Sequence, residues 1–323
     1  MTGSGGWNPS ELPAQRGKTI VVTGANAGLG FWASEQLARA GAHVVLACRD
    51  EGRADAALRA IRARVSGASV STLALDVASL DSVAAASARL LELERIDGLV
   101  LNAGIVHPPR TRQLSADGLE LVVATNYLGH FALTARLLPA LQRTPGARVV
   151  ALGSMISRLM DSSLEDLQLA GGYNSWRAYA QSKIAMQVFG FELDRRLAAA
   201  ARAAGIGDGA RASALVAHPG YSIGGRTPRV PGVNEPSALK RFVDNLQAPI
   251  TQGKNRGAWP IVRAIADPDA RGGQYWGPRF VTKGEPTLQQ PTATSTDRAV
   301  AERVWRESEQ LTGVDFALEG GRP

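Results

Sequence analysis

The stretch that decides the fold is TGANAGLG, residues 23–30, between a short apolar, β-branched run and a segment with helical spacing. Gly24, Gly28 and Gly30 follow the spacing G-x-x-x-G-x-G, which differs from the more familiar G-x-G-x-x-G. Glycines at such a junction permit a tight turn and let a pyrophosphate approach the backbone at the N-terminus of a helix. Alone, the loop could be an ordinary strand-to-helix turn, but its flanking strand and helix supply the context that a dinucleotide site requires.

Outward from this loop, strand-like and helix-like segments alternate. Because the strands are almost uniformly apolar, as strands buried on both faces should be, they predict a parallel sheet covered by helices on both sides. The predicted fold class is α/β, with a single Rossmann-type doubly wound parallel sheet of six to seven strands. The predicted strands are 18–23, 42–48, 70–75, 98–101, 147–152 and 211–217, with 272–276 as a closing edge strand. The predicted helices are 29–40, 51–65, 80–93, 118–143, 175–204, 236–246, 258–266 and 296–311.

The domain boundaries follow from composition. Residues 17–315 are predicted to form one domain, with a substrate-loop region rich in Gly and Pro within 219–257. A flexible Gly-, Ser- and Pro-containing arm is expected at 1–16, and a short tail at 316–323. No composition break points to a second domain.

Composition excludes several classes of protein. The chain has 323 residues, 45% hydrophobic and 20% charged, which is ample for a core and argues against general disorder. No stretch approaches the roughly 18 apolar residues of a membrane span, and a single cysteine, Cys48, excludes an internal disulfide. No Cys/His spacing suggests a metal site, and we expect a cytoplasmic protein.

The charge of +7 raises the question of nucleic acid. The 36 basic residues are mostly arginines scattered over Ala-rich helical segments, without a run of like charges. Because clustered charge is the usual footprint of nucleic-acid binding, we expect no nucleic-acid partner.

A pair of side chains on one predicted helix suggests acid–base chemistry. Tyr179 and Lys183 are four residues apart, so they share a helix face. A free tyrosine has a pKa of about 10, and a nearby ammonium stabilises the phenolate and lowers that pKa. Tyr179 could then donate a proton to a carbonyl oxygen as hydride arrives at the carbon, or remove it in reverse. Ser154, at the end of the fifth strand, could donate to the same oxygen.

From about residue 18 to about 219, the sequence resembles the short-chain dehydrogenase/reductase family, in six motifs that occur in the right order. The glycine loop resembles the family's cofactor loop, LDV at 75–77 its adenine-binding turn, NAG at 102–104 its N-A-G motif, and YAQSK at 179–183 its catalytic helix. The resemblance implies a catalytic set of Asn126, Ser154, Tyr179 and Lys183. It also implies that Asn126 holds a water leading to the lysine and that Lys183 binds the nicotinamide ribose. The implied cofactor-binding residues are Gly24, Asn26, Gly28, Leu29, Gly30, Arg49, Asp76, Val77, Asn102, Ala103, Gly104, Tyr179, Lys183, Pro219 and Gly220.

The end of the second predicted strand bears on the choice of cofactor. Cys48 stands where an enzyme preferring NAD usually has a carboxylate for the ribose 2′-hydroxyl, and Arg49 suits a 2′-phosphate. Asp50 could still serve the ribose, and Arg53 could assist Arg49. The sequence therefore favours NADP(H) over NAD(H) without excluding NAD(H).

Three further stretches are similar to the retinol-dehydrogenase-like branch of the family, which includes bacterial antibiotic-pathway ketoreductases. They are LACRD at 46–50, WRAYAQSK at 176–183 and HPGYS at 218–222. One departure is Gly224, where the family often has a threonine for the cofactor carboxamide; Ser222 or Thr227 could substitute. The gap from Ser154 to Tyr179 is longer than usual, which predicts an extra loop over 155–176.

The expected function is NADP(H)-dependent interconversion of a carbonyl and an alcohol on a bulky hydrophobic small molecule. The alternative is a non-catalytic nucleotide-binding redox sensor or scaffold on the same fold. Apolar residues on the long helix, among them Phe189 and Leu193, together with the resemblance, lead us to expect a homodimer or homotetramer. The predicted substrate-lining residues are Ile105, Val106, Met155, Ile156, Leu159, Met160, Tyr173, Trp176, Tyr221 and Ile223.

Overall fold

The predicted alternation builds one sheet of eight strands. The structure, a computed structural model, describes residues 7–160 and 162–318. The strand order is β10-β9-β6-β5-β4-β1-β2-β3, and all neighbouring pairs are parallel except β9 with β10. The strands are β1 Thr19–Thr23, β2 His43–Cys48, β3 Val70–Ala74, β4 Gly98–Leu101, β5 Arg148–Leu152, β6 Ser213–Ala217, β9 Tyr275–Pro278 and β10 Pro286–Leu288. Two further short strands, β7 Ser222–Ile223 and β8 Gln252–Gly253, pair outside this sheet.

Helices cover both faces, as predicted. Val22 and Leu46 pack with α1, α2 and α9 on one face, whereas Val21 and Leu99 pack with α3, α5, α6 and α11 on the other. The helices are α1 Gly28–Arg39, α2 Glu51–Arg64, α3 Leu80–Leu91, α4 Leu121–Val123, α5 Gly129–Arg143, α6 Ser175–Ala203, α7 Ala238–Leu246, α8 Lys254–Gly257, α9 Trp259–Ala266, α10 Ala293–Thr296 and α11 Arg298–Thr312.

Two sequence-based predictions need correction at the edge of the sheet. The main sheet has eight strands rather than six or seven, and the strand expected at 272–276 is β9, Tyr275–Pro278, which is not the edge. The edge is β10, an antiparallel strand of three residues that begins with Pro286. It escaped prediction because three residues carry no alternation, and because a proline is tolerated only on an edge strand.

The helix predicted over 118–143 begins later and is not uniform. Glu120 caps its start, accepting hydrogen bonds from the amides of Val122 and Val123. A π-helical turn, Ala124–Leu128, then joins α4 to α5. A π turn is often found at functional sites, and this one contains Asn126.

Both predicted terminal segments have residues that contact the body of the fold. Trp7 Nε1 donates to Asp267 at 2.7 Å, and Gln15 is buried. At the other end, Phe316 packs against Trp305 with ring centroids 4.5 Å apart. Residues 1–6 of the predicted arm and 319–323 of the predicted tail lie outside the described residues.

Candidate active site

The sheet topology brings the predicted site residues together at the carboxyl ends of the parallel strands. Parallel strands end on the same side of a sheet, and ligands bind where the strand order reverses. Here the chain leaves β1 for β2 on one side and later places β4 on the other side of β1. Four segments therefore meet at the carboxyl ends of the strands, those that follow β1, β4, β5 and β6. They carry the glycine loop, Asn102, Ser154 and Pro219.

The glycine loop is shaped by close backbone contacts. Gly24 has φ +64°, and a Cβ there would lie 2.8 Å from the Cα of Ala103. A Cβ at Gly30 would lie 2.5 Å from Asn102 Nδ2. Side chains at these two positions would displace the turn, so only glycine lets the strand, the loop and the N-A-G segment approach one another.

The backbone at the start of α1 suits an anion. Ala27, the N-cap residue, offers no side-chain acceptor to the first helical amides. Those amides and the positive end of the helix dipole are thus available to a phosphate, and Gly28 leaves its approach free of a side chain. The residues present fit the pyrophosphate of a nicotinamide dinucleotide.

Thr23 connects the glycine loop to the N-A-G segment through hydrogen bonds. The sequence did not predict this role. Its Oγ1 accepts hydrogen bonds from the amides of Asn102 and Ala103, both at 2.9 Å. Asn102 Nδ2 in turn donates to the carbonyl of Thr23 at 2.7 Å. The Asn102 side chain thus holds the loop in shape, which leaves the backbone to face a cofactor.

Ser154 and Tyr179 come together as predicted. The Tyr179 hydroxyl donates to Ser154 Oγ at 3.4 Å, and Ser154 Oγ also accepts from the amide of Ile156 at 3.3 Å. None of the hydrogen bonds that Ser154 Oγ makes with the described residues uses its own proton. Both residues are partly exposed, and an oxygen placed between the two hydroxyls could accept from each.

The acidity of Tyr179 differs from the sequence-based prediction. Burial raises the pKa of Tyr179, and the hydrogen bond with Ser154 opposes that rise only in part. The lowering expected from Lys183 is therefore absent in this structure. Because desolvation disfavours the phenolate, Tyr179 is poised as a protonated acid.

Lys183 lies on the same face of α6, one turn beyond Tyr179. Its Nζ donates to the carbonyl of Leu152 at 3.0 Å and lies 3.6 Å from the position of a Cβ on Gly104. Burial lowers the pKa of Lys183 to about 8, so the ammonium form still dominates at pH 7. A buried cation beside the N-A-G segment is thus held within reach of the groups bound there.

Asn126 connects two segments of the site through hydrogen bonds. Its Oδ1 accepts from the amide of Ile105 at 2.6 Å, and its Nδ2 donates to the carbonyl of Ile105 at 3.1 Å and to Ser182 Oγ at 2.9 Å. Ser182 Oγ donates to the carbonyl of Tyr179. Asn126 therefore positions the N-A-G segment against α6, while its role toward a water stays a prediction.

A second residue missed from the sequence, Gln187, supports Ser154. Its Nε2 donates to the carbonyl of Ser154 at 3.1 Å and to Ser157 Oγ at 2.9 Å, and the side chain is fully buried. A Cβ on Gly153 would lie 2.6 Å from this nitrogen. The signal was present, because Gln187 continues the face of α6 that carries Tyr179 and Lys183 at four-residue spacing.

Arg49 and Asp76, both predicted to bind the cofactor, lie close together after β2 and β3. Arg49 is exposed, with a guanidinium nitrogen 4.0 Å from a carboxylate oxygen of Asp76. The Cys48 side chain is buried and lies near the backbone of Ala25 and Asn26, which puts it beside the glycine loop. Asp50 Oδ1 accepts from the amide of Arg53 and caps α2, so one of its oxygens is already occupied.

Other predicted cofactor residues contribute mainly through the backbone. The side chain of Val77 is buried in the core, and its carbonyl lies against Gly129, so a contact with a ligand there would come from the backbone. Leu29 packs toward Gly257. Gly220 has φ +64° and sits against the carbonyl of Thr282, which fixes the turn after Pro219.

The two substitutes considered for the missing threonine at 224 are already bonded within the protein. Thr227 is buried; its Oγ1 donates to the carbonyl of Ile223 and accepts from the amide of Lys254, both at 2.8 Å. Ser222 Oγ donates to the carbonyl of Pro219 at 2.8 Å. Thr227 is therefore unavailable to a carboxamide, and Ser222 has its proton engaged.

The predicted substrate side presents several exposed apolar groups. Val106, Leu159, Trp176 and Tyr221 are all exposed, and each lies a few residues from Gly104, Ser154, Tyr179 or Gly220. The predicted extra loop begins with a 3-10 turn, Met155–Arg158, and ends at Asn174, which caps α6. Its middle is anchored, because the side chains of Leu164, Leu167 and Leu169 are buried.

Among residues 7–160 and 162–318, no group of three or more His, Cys, Asp and Glu side chains could hold a metal ion. In the same part of the chain, no helix is long and apolar enough to cross a membrane.

Comparisons with known proteins agree with the geometry. The short chain dehydrogenase family model matches residues 18–207. Polyprenol dehydrogenase from Mus musculus is 35% identical over 96% of this chain and 88% of that protein, and retinol dehydrogenase 13 from Homo sapiens is 33% identical over 97% and 89%. An uncharacterized protein from Mycobacterium Paratuberculosis has a solved structure with a TM-score of 0.75 and 35% identity, covering 97% of this chain and 99% of that one. The chain therefore belongs to the short-chain dehydrogenase/reductase family, in its retinol-dehydrogenase-like branch.

Proposed function

We propose that this protein is an NADP(H)-dependent oxidoreductase that interconverts a carbonyl and an alcohol on a bulky hydrophobic substrate. Membership of the family establishes an oxidoreductase that uses a nicotinamide cofactor; the preference for NADP(H), the substrate and the residue roles are the proposal. The observation that carries it is the approach of Tyr179 OH to Ser154 Oγ, 3.4 Å, with the Ser154 proton unused among the described residues.

The hydroxyls of Ser154 and Tyr179 have different roles toward the substrate oxygen. When bound, the nicotinamide cofactor supplies or accepts the hydride. Ser154 donates a hydrogen bond to the substrate oxygen and stabilises the negative charge that develops there. Tyr179 transfers its proton to that oxygen in reduction and recovers it in oxidation. Burial raises the pKa of Tyr179. The phenol therefore keeps its proton until the substrate oxygen, on which negative charge develops, is in place to accept it.

Lys183 and Asn126 have supporting roles. Lys183 places a buried ammonium on the face of α6 that carries Tyr179, beside the N-A-G segment. One of its N–H groups is bonded to the Leu152 carbonyl, which leaves two for the cofactor ribose. Asn126 holds Ile105 and Ser182, and so keeps the N-A-G segment and α6 at a fixed separation.

The preference for NADP(H) rests on Arg49 and Cys48. Arg49 is exposed, and its ion pair with Asp76 is long at 4.0 Å, which leaves the guanidinium accessible to a phosphate. Cys48, near the backbone of Ala25 and Asn26, stands at the end of β2, where an enzyme preferring NAD usually has a ribose-binding carboxylate. A neutral thiol there does not repel a 2′-phosphate, and a guanidinium nearby attracts it.

A hydrophobic substrate is supported by the exposed side chains at the mouth of the site. Val106, Leu159, Trp176 and Tyr221 offer apolar surface from four different segments. The relatives named polyprenol dehydrogenase and retinol dehydrogenase bear the names of long apolar alcohols. These two observations together favour a large apolar alcohol, ketone or aldehyde over a small polar one.

The test has a binding arm and a turnover arm. Titration with NADPH and with NADH, followed by nucleotide fluorescence, should show tighter binding of NADPH. Consumption of NADPH is then screened with aromatic polyketide ketones, steroids, retinoids and long-chain aldehydes, and small polar carbonyls serve as controls. Binding of neither nucleotide would contradict the proposal. Binding without turnover of any carbonyl would favour the non-catalytic sensor or scaffold.

Two properties stay proposals beside this function. Of the apolar residues of α6 that suggested self-association, Val188, Phe189 and Leu193 are buried inside the chain, whereas Phe191 is partly exposed. We retain a homodimer or homotetramer on the family resemblance, to be tested by light scattering at micromolar concentration. A cytoplasmic location is tested by fractionation of the producing cells.

A further inference from the structure

A lysine from the distal part of the chain lies at the glycine loop. Lys254, the first residue of α8, has its Nζ 3.7 Å from the position that a Cβ on Gly28 would occupy. The approach is set by packing, because α8 lies against α1, and a Cβ on Gly257 would lie 3.0 Å from Leu29. The lysine therefore faces the part of the loop where the backbone is free of side chains.

The ammonium of Lys254 has no anionic partner in the described part of the chain. Asp244 is the acidic residue that acts on it, but Asp244 already pairs with Lys240 at 3.1 Å and accepts from the amide of Gly225 at 2.7 Å. No hydrogen bond or ion pair of Lys254 Nζ is formed with residues 7–160 or 162–318. Lys254 is partly buried, and both burial and the nearby Lys240 lower its pKa. An unpaired, partly desolvated cation at this place is stabilised by an anion.

The N-terminus of α1 supplies a second, independent positive feature at the same place. This helix has 12 residues, and its N-cap Ala27 leaves the first amides without a side-chain acceptor. An anion at Gly28 would lie near both those amides and the Lys254 ammonium.

We propose that Lys254 binds the pyrophosphate of the nicotinamide dinucleotide together with the amides of α1, an inference that rests on the proposed cofactor use. Nothing in the glycine-loop pattern indicates this residue, since it follows the catalytic motifs and belongs to the substrate-loop region 219–257. Its side chain adds a charge-assisted contact to a loop that otherwise offers only neutral amides.

The backbone of Lys254 links this contact to the segment after Pro219. Its amide donates to Thr227 Oγ1 at 2.8 Å, and the preceding residues pair with β7 in the register Ser222 with Gln252 and Ile223 with Gly253. Lys254 and the turn containing Gly224 are thus parts of one hydrogen-bonded unit. The family's usual threonine at 224 would contact the carboxamide, whereas Lys254, anchored to the same unit, contacts the pyrophosphate.

This role differs from that of Arg49 in a measurable way. The pyrophosphate is common to NADPH and NADH, whereas the 2′-phosphate belongs to NADPH alone. Lys254 therefore contributes to affinity for both dinucleotides, and Arg49 contributes to the preference between them. The ratio of the two dissociation constants separates the roles.

The experiment measures dissociation constants for NADPH, NADH and ADP-ribose with the full chain, by calorimetry or fluorescence. Lys254→Met keeps the length of the side chain and its packing against α1 but removes the charge. It should weaken all three ligands roughly tenfold to a hundredfold, with the NADPH/NADH ratio unchanged. Lys254→Arg should recover most of the affinity. The matched control is Arg256→Gln, which removes an exposed charge from the same short helix, where the guanidinium lies 4.9 Å from the Trp259 ring.

The outcomes separate this inference from the proposed function. If the wild-type chain binds neither dinucleotide, the cofactor use itself fails. If it binds them and Lys254→Met binds all three ligands equally well, cofactor use stands and the role of Lys254 is overturned. If Arg256→Gln weakens binding as much as Lys254→Met, the effect is general electrostatics and the specific contact is also overturned. Thermal unfolding of each variant identifies a folding defect, in which case Lys254→Gln and Lys254→Arg decide.

Discussion

The hydroxyl of Tyr179 donates to the hydroxyl of Ser154 across 3.4 Å, although the two residues come from different elements, α6 and the turn after β5. The distance is long for an O–H···O bond, whose usual length is about 2.7–2.8 Å. Catalytic hydrogen bonds are often long until substrate is bound, so a loose contact is compatible with a shared acceptor. The arrangement makes the two hydroxyls a pair whose members can be removed separately.

Removing the Tyr179 hydroxyl should abolish most of the turnover without weakening the binding of the cofactor. Tyr179→Phe keeps the ring but loses the transferable proton, so kcat should fall by about 10²–10⁴-fold. The dissociation constant for NADPH should be largely unchanged, because the phenol is not placed at the glycine loop. The matched control is Tyr127→Phe, since that buried hydroxyl bonds Ser308 Oγ on α11 and contacts neither Ser154 nor Lys183 through a hydrogen bond. Wild-type turnover by Tyr179→Phe would rule out its role as acid and base.

Gln187 should act on turnover through Ser154. Gln187→Leu removes the hydrogen bonds to the Ser154 carbonyl and Ser157 Oγ while roughly keeping the volume. The backbone that carries Ser154 should then shift, and a misplaced donor should lower kcat about tenfold or more with little change in the KM for NADPH. Gln187→Glu places an acceptor against the Ser154 carbonyl and should cost more. Equal losses in kcat and in NADPH affinity would instead indicate a general structural role.

The sequence was sufficient for the parallel core of the sheet and for most members of the site. Strands buried on both faces are uniformly apolar, and a glycine loop between a strand and a helix fixes the order of elements, so the six predicted strands match β1 to β6 closely. The π turn at Asn126 and the antiparallel β10 were not predictable, because each depends on contacts with distant residues. Thr23 and Lys254 were missed for the same reason, whereas Gln187 had a visible periodic signal.

The cofactor preference should depend on Arg49. Because its guanidinium is exposed at the adenosine side, Arg49→Ala should weaken NADPH about tenfold to a hundredfold, as expected for a charge-assisted hydrogen bond worth about 1.5–3 kcal/mol. NADH should be nearly unaffected. The measurement is the ratio of kcat/KM for the two cofactors, with Arg53→Ala as the neighbouring comparison. An unchanged ratio would mean that the 2′-phosphate is held elsewhere or that NAD(H) is the natural cofactor.

Acid should destabilise the fold through a buried histidine. Burial lowers the pKa of His218 to about 3 from 6.5, so the folded chain keeps it neutral while the unfolded chain protonates it. The free energy of unfolding should therefore fall as pH drops below 6.5, by about 1.4 kcal/mol per pH unit from this group. His218→Asn retains an acceptor for the Gly220 amide and should show a shallower acid dependence in urea unfolding between pH 7 and 4.5. The exposed His107→Asn is the control; a slope equal to that of the wild type in His218→Asn would refute the assignment.

Burial of the Lys183 ammonium should lower the free energy of unfolding at neutral pH. This destabilisation should disappear in alkali. Burial lowers its pKa to about 8 from 10.5, so between these values the unfolded chain binds a proton that the folded chain has released. Over that window, the stability of the wild type should rise relative to Lys183→Met by about 1.4 kcal/mol per pH unit, to a total of about 3 kcal/mol. The hydrogen bond to the Leu152 carbonyl offsets part of this cost at pH 7 but does not alter the direction of the pH dependence. Urea unfolding of both proteins from pH 7 to 10.5 measures the difference, with Lys283→Met as the comparison outside the site. A difference that stays constant over this range would show that Lys183 is not held as a desolvated ammonium.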